Sequence, residues 1–348
     1  MAEFPVLLHV DADAFFASVV LRSRPELVAR PVAAVAHVFI ASANYPARDR
    51  GVRGGTLVQE ALRQCPELLL FDVPRAEVEE VGDAMFDIFH DVARAVEPGS
   101  IEEAFLDVGA RDWTTAVQAG HTLRARVQRE LGIAVSVGVG RTKLMAKLAS
   151  RAAKPDGLYV MDAAQEARLR TSLPMTEVWG IGPTTLHKLS TLGVAKLGDL
   201  DSIPADQLLR VCGTTMARKL SRIRDGTDDA VVNSVERRTV LTAEGAIRGY
   251  ERPDKSLTEL METCLERLCR RADRAGLAGT GITLALKPDS GEPPIVLKQN
   301  RLVATAEPET WLPIGRELLG HQWVPRLAGM RVSLTGLIPV ERVQQTLF

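Results

Sequence analysis

One stretch constrains this chain more than any other. Leu8-His9-Val10-Asp11-Ala12-Asp13-Ala14-Phe15-Phe16 is an apolar run that breaks into two carboxylates and then two aromatic rings. Pro5 to Val10 reads as a buried strand and Phe15 to Leu21 as the helix after it, so the acids fall at a strand-to-helix switch. Further along, Ser100-Ile101-Glu102-Glu103-Ala104-Phe105-Leu106-Asp107 again sets adjacent carboxylates into an apolar segment. Either cluster alone reads equally well as exposed acids at a strand end. Together they describe two carboxylate-bearing strands side by side. Packed like charges repel and are driven to take up protons, so Asp11, Glu102 and Glu103 stay ionised together only where cations neutralise them. Oxygen-only donors favour Mg²⁺ or Mn²⁺ over zinc. Two such ions about 4 Å apart can clamp the attacking and leaving oxygens of an in-line phosphoryl or nucleotidyl displacement.

The 348 residues suffice for two to four domains, each with its own core. Apolar residues at 46% and charged residues at 25% are ordinary for a soluble protein, and the net charge of −1 gives no sign of a nucleic-acid binder. Local patches matter more than that total. Cys65, Cys212, Cys264 and Cys269 lack metal-ligand spacing and read as reduced, buried small residues. No stretch approaches the roughly 18 apolar residues of a membrane span, and the N-terminus carries no secretory pattern. A cytoplasmic protein with no membrane association is expected.

Val32 to Ser42 gives two short strand-like pieces, and a helix is expected over about Leu57 to Gln64. Val78, Val81, Met85, Ile88, Phe89 and Val92 predict an amphipathic helix over Ala76 to Val96. Strands at Ile101–Val108 and Ile133–Gly138 flank a helix over Val117–Leu131, a mixed α/β pattern. After Pro174, Val178-Trp179-Gly180-Ile181-Gly182-Pro183 sits between helical stretches. A Gly-x-Gly hairpin can present backbone N–H groups to a DNA phosphate without reading sequence; alone, such a turn is more often just a turn. Arg210 to Gly226 is a basic helical stretch. Asn233 to Arg238 reads as a linker. The helix marked by Leu257, Leu260, Met261, Cys264, Leu265 and Leu268, with alternating strands at Ile282–Leu286 and Met330–Leu334, reads as an α+β unit.

The two acidic motifs fall in order with Ser42-Ala43-Asn44-Tyr45-Pro46-Ala47-Arg48, Ser136-Val137-Gly138-Val139-Gly140-Arg141-Thr142-Lys143-Leu144-Met145-Ala146-Lys147 and Ala153-Lys154-Pro155-Asp156-Gly157. On these five motifs the chain resembles a Y-family translesion DNA polymerase of the DNA polymerase IV (DinB-like) type over essentially its whole length. The resemblance implies an α/β and α+β multidomain right hand. Its palm would be residues 1–14 and 81–170, with small fingers at 15–80 and a helix-hairpin-helix thumb at 171–232. A linker at 233–240, a C-terminal little finger at 241–340 and a clamp-binding tail at 341–348 complete it. It also implies error-prone, template-directed addition of dNTPs to a primer 3′-OH, without proofreading. Such an enzyme works as a monomer with primer-template DNA, a dNTP and two Mg²⁺ ions, with Mn²⁺ able to substitute.

The resemblance assigns Asp11, Glu102, Glu103 and the Ala12 carbonyl to the metals, with Glu103 as the catalytic acid. Asp13 and Asp107 read as structural. Phe16 takes the steric-gate position, where a ring under the sugar leaves no room for a 2′-hydroxyl; Phe15 reads as core. Tyr45 and Arg48, spaced i to i+3, can offer a hydroxyl and a guanidinium to one triphosphate, and Lys154 matches the third contact. Lys143 and Lys147 add positive potential. Gly180 and Gly182 are expected to hold DNA phosphate, and Gln344, Leu347 and Phe348 resemble the bacterial sliding-clamp peptide.

Two residues depart from the family pattern. Glu102 stands where aspartate is usual and pushes its carboxylate out by one methylene, whereas Mg²⁺ tolerates little departure from octahedral geometry. Val20 replaces a common glutamate. A non-catalytic adaptor of the same family would have no need of Asp11, Glu103, Phe16, Tyr45, Arg48 and Lys154, and a nucleotidyl cyclase would have no use for the hairpin, the C-terminal unit or the tail.

Overall fold

A computed structural model of the chain describes residues 5–228, 231–234, 239–250, 253–320 and 326–343. In chain order the elements are β1 (Leu7–Ala12), α1 (Phe15–Arg22), β2 (Val32–Ala36), β3 (Phe39–Ala43), α2 (Tyr45–Asp49), α3 (Val58–Gln64), β4 (Leu69–Asp72) and α4 (Arg75–Val92). There follow β5 (Ala95–Pro98), β6 (Glu103–Asp107), α5 (Trp113–Leu131), β7 (Val135–Gly140), α6 (Lys143–Ala153), β8 (Leu158–Val160) and α7 (Ala163–Ser172). The helices α8 (Pro183–Ser190), α9 (Ala205–Cys212) and α10 (Thr214–Arg224) precede β9 (Val240–Ala246), α11 (Leu257–Arg274), β10 (Leu277–Pro288), β11 (Ile295–Thr305), α12 (Pro308–Gly320) and β12 (Leu327–Thr335). The chain divides into two compact units, Met1–Asp13 with Gly82–Val235, and Ala14–Val81 with Glu236–Phe348.

The first unit is built on a five-stranded sheet in the order β5-β6-β1-β7-β8. β1 pairs antiparallel with both β6 and β7, and every residue of β7 is buried. One face of this sheet carries His9, Asp11, Glu103 and Phe105, since His9 pairs with Phe105 and Asp11 with Glu103 across the ladder. Helix α6 lies on that face because β7 is glycine-rich. A Cβ on Gly138 would come within 2.8 Å of three backbone atoms of α6, namely Ala146 O, Ala149 C and Ser150 N. Thr142 caps α6, its hydroxyl accepting from Met145 N. Leu144, Met145 and Ala149 on α6 continue into a second core with Leu173, Val178, Leu189, Leu208 and Leu220 of the helical segment that follows. There Arg170 bridges the buried Glu166 and Asp228.

The second unit holds a three-stranded sheet, β3-β2-β4, and a five-stranded sheet in which β11-β10-β12-β9 run in order and the short β13 (Ile338–Pro339) pairs with β10. Buried Asn44 organises the first: its Oδ1 accepts from Val32 N and Ala47 N, and its Nδ2 donates to Arg30 O, which starts α2. A capping box between Ser256 and Glu259 starts α11, whose Leu260, Met261, Cys264, Leu265 and Leu268 pack on Ile282, Leu284, Met330 and Val332 with Trp311 of α12. Arg267 of α11 makes a two-pronged ion pair with Glu79 at the start of α4, with donor–acceptor distances of 2.5 and 3.0 Å.

The helix predicted over Ala76–Val96 ends at Val92. Arg94 N donates to Asp107 O and buried Val96 joins β5, so pairing with β6 captures the end of the apolar pattern. The strand predicted from Ile101 starts at Glu103, because Ser100 holds Glu102 in a bend through a bond from Glu102 N to its hydroxyl. β7 is shifted by two residues from the predicted Ile133–Gly138, starting at Val135 and ending at Gly140. The short strands β4 and β8 carry no periodicity of their own. All four cysteines are free; Cys65, Cys264 and Cys269 are buried and Cys212 is half-buried. No helix among the described residues is long and apolar enough to cross a membrane.

Candidate active site

Asp11 and Glu103 are Cα partners across the β1–β6 ladder, so their carboxylates leave one face of the sheet together. Glu102 sits opposite Ala12, whose N–H donates to Glu102 O at 3.0 Å. Two such acids side by side are costly unless balanced, and α6 and the turn after it supply the balance. Lys147 Nζ lies 2.5 Å from Glu103 Oε2, and Lys154 Nζ lies 2.6 Å from Asp11 Oδ1 and 3.2 Å from the Ala12 carbonyl oxygen. The His9 ring, with Nε2 3.5 Å from Glu103 Oε2, and then the Lys147 ammonium hold the Glu103 carboxyl down to about 2 against burial, which pushes it up. Glu103 is therefore a carboxylate at neutral pH. Burial, the largest influence on His9, lowers its pKa.

His9 was not singled out from the sequence. Its Nδ1 bonds Ser150 Oγ of α6 at 2.7 Å, which ties β1 to the helix carrying Lys147. Its Nε2 is one of two buried side-chain nitrogens or oxygens without a hydrogen-bond partner among the described residues. The one signal available was a histidine inside an otherwise apolar strand, two residues before Asp11.

Asp13 is buried and turned inward, where it accepts from the Ser136 hydroxyl and, at 2.7 Å, from Asp156 N. It thereby anchors the Lys154-Pro155-Asp156-Gly157 turn. Asp107, at the far end of β6, accepts from Gly109 N. After Asp13 the chain turns sharply: Ala14 adopts the left-handed conformation, φ 47°, at the start of α1, a strain of order 1 kcal/mol for a residue with a Cβ. Phe15 is fully buried and Phe16 half-buried, their rings 5.7 Å apart.

In the second unit, Arg48 is held by a bond from its Nε to Ala43 O at 2.7 Å, and its guanidinium lies 5.0 Å from the centre of the Tyr45 ring. Tyr45 and Arg48 thus share one face of α2. In the first unit, Gly180 adopts φ 78° and Gly182 caps α8. The half-exposed Trp179 ring beside them meets Phe105 at a tilt of 47°, ring centres 5.5 Å apart, with the Lys147 and Lys219 ammoniums 5.8 and 5.6 Å from its centre. Gln344, Leu347 and Phe348 lie outside the described residues.

No cluster of three His, Cys, Asp or Glu side chains among the described residues has converged to metal-ligand spacing. The donor set at Asp11, Ala12 and Glu103 nevertheless consists of hard oxygens, the type that suits Mg²⁺ or Mn²⁺. An ammonium already stands on the Asp11 and Ala12 oxygens, so the pair fits a cation.

Residues 10–151 match the model of the impB/mucB/samB family, and residues 248–347 match that of its C-terminal domain. DNA polymerase IV of Pseudomonas syringae pv. syringae is 34% identical over 76% of this chain and 77% of its own length. DNA polymerase IV 2 of Mesorhizobium japonicum is 32% identical over 81% of this chain and 68% of its own. The chain belongs to the Y family of DNA polymerases, of the DNA polymerase IV (DinB) type. This polymerase also shares the family's multidomain fold. The Dbh DNA polymerase of an insertion ternary complex superimposes with a TM-score of 0.69 at 20% identity, covering 96% of this chain and 99% of that one. The chain is thus a DNA-directed DNA polymerase of a translesion family.

Proposed function

We propose that this polymerase carries out error-prone, template-directed bypass of damaged DNA by two-metal nucleotidyl transfer, without proofreading. The observation that carries the reading is the pairing of Asp11 with Glu103 on one sheet face, with Glu103 held as a carboxylate, in a chain of this family. Asp11, Glu102, Glu103 and the Ala12 carbonyl would hold two Mg²⁺ ions, which supply Lewis-acid stabilisation of the attacking and leaving oxygens. Glu103, kept anionic by its neighbours, is the catalytic carboxylate. Phe16 packs under the deoxyribose, and Tyr45, Arg48 and Lys154 take the triphosphate of the incoming dNTP. The Gly180 and Gly182 hairpin grips a DNA phosphate. The Gln344, Leu347 and Phe348 tail docks on a sliding clamp.

The domain ranges follow from the same reading, with a palm carrying the carboxylates and small fingers that leave the nascent pair open. The protein would act as a cytoplasmic monomer on primer-template DNA. Primer extension over an abasic template position tests this directly. The reading requires incorporation opposite the lesion and retention of mismatched termini through prolonged incubation. Stalling before the lesion, or excision of a mismatched 3′ end, overturns it.

A further inference from the structure

The ammonium of Lys154 sits on the oxygen pair that the reading above gives to a metal ion. Its Nζ lies 2.6 Å from Asp11 Oδ1 and 3.2 Å from Ala12 O, with Asp13 Oδ1 at 3.8 Å. The backbone around it is fixed by Asp13, which accepts from Asp156 N, while the Lys154 side chain keeps a fifth of its surface exposed. Lysine carries its charge on a flexible four-carbon stem, so the side chain can move while the turn stays in place. A divalent ion bound about 2.0–2.1 Å from the same oxygens leaves no room for that ammonium. Once displaced, the ammonium needs another anion, and a triphosphate provides one.

We propose that Lys154 exchanges partners during nucleotide entry, neutralising Asp11 in the empty enzyme and moving to the triphosphate when a divalent cation takes the Asp11 and Ala12 oxygens. This rests on the reading of Asp11 as a cation ligand. Lys147, which neutralises Glu103 from within α6, stays in place and keeps the second carboxylate ionised. The exchange couples the two ligands. A cation arriving alone must evict Lys154, whereas one arriving with nucleotide finds the lysine a new partner, and linkage makes the benefit mutual.

The coupling is read from binding, without DNA or turnover, on the full chain. Free Mn²⁺ is titrated by electron paramagnetic resonance, and dATP affinity is measured calorimetrically at saturating Mn²⁺, for the wild type, Lys154→Ala, Lys154→Met and Asp11→Asn. Melting curves confirm that each variant is folded. In both Lys154 variants, Mn²⁺ alone should bind roughly 3- to 10-fold tighter and dATP roughly 10-fold weaker. These opposite signs are the signature of partner exchange. Unchanged or weaker Mn²⁺ binding in both Lys154 variants, with Asp11→Asn abolishing it, overturns the exchange and leaves the metal reading standing. Mn²⁺ binding unaffected by Asp11→Asn, or undetectable in every protein, overturns the metal reading of Asp11 and the exchange together.

Discussion

Gly138→Ala tests whether close helix-to-sheet contact sets the geometry of the site. The added methyl would lie within 2.8 Å of Ala146 O, Ala149 C and Ser150 N. These are backbone atoms, so no rotamer change relieves the overlap. Normal carbon contacts need about 3.5 Å and the tightest of these, to Ala146 O and Ser150 N, fall furthest short of that, so α6 must retreat by roughly 1.5 Å. Overpacking of this kind costs 1–3 kcal/mol, and the rigid neighbours place this case near about 3 kcal/mol. For a unit of this size that lowers Tm by roughly 6–12 °C. The same retreat carries Lys147, Ser150 and Lys154 away from Glu103, His9 and Asp11. A displacement of about 1 Å at reacting groups can cost on the order of a hundredfold in rate. Calorimetric melting and steady-state primer extension on undamaged template read the two effects. Wild-type Tm together with wild-type extension would refute the reasoning, because it would mean that α6 moves without consequence or does not lie this close.

Two further perturbations follow. Glu79→Ala removes the carboxylate that lies 2.5 and 3.0 Å from the buried Arg267 guanidinium and leaves that charge with only its bond to the Glu244 carbonyl among the described residues, which should cost about 3–5 kcal/mol in urea unfolding, with most of that recovered in Glu79→Ala/Arg267→Met; equal costs for the single and double variants would contradict it. Phe16→Ala should raise ribonucleotide incorporation relative to deoxyribonucleotide by on the order of a hundredfold, measured as a ratio of kcat/KM values, and an unchanged ratio rejects the steric-gate role.

Much of the fold was legible because its signals are local. Alternation and helical periodicity mark β12 and α11, and Gly-Ile-Gly marks the turn into α8. Where tertiary pairing decided, the sequence was mute. Ala95 and Val96 close the helical pattern and yet open a strand, because β6 offers hydrogen-bond partners. The two acidic motifs could be read as neighbours, but not their register, which makes Glu103 rather than Glu102 the partner of Asp11. His9 and Ser150 are 141 positions apart and meet only because glycines let α6 settle on the sheet. Lys147 reads from its motif as general positive potential; its direct contact with Glu103 depends on that same packing.

On the proposed function, Asp11 and Glu103 hold the cations of nucleotidyl transfer. Primer extension in Mg²⁺ and in Mn²⁺, for the wild type, Asp11→Asn, Glu103→Gln and Glu102→Asp, tests it most directly. Asp11→Asn and Glu103→Gln should lose on the order of a thousandfold in rate with either metal, while Glu102→Asp, with its carboxylate drawn in by one methylene, should extend faster in Mg²⁺ than the wild type. Wild-type rates for Asp11→Asn and Glu103→Gln would show that these carboxylates hold no catalytic cation.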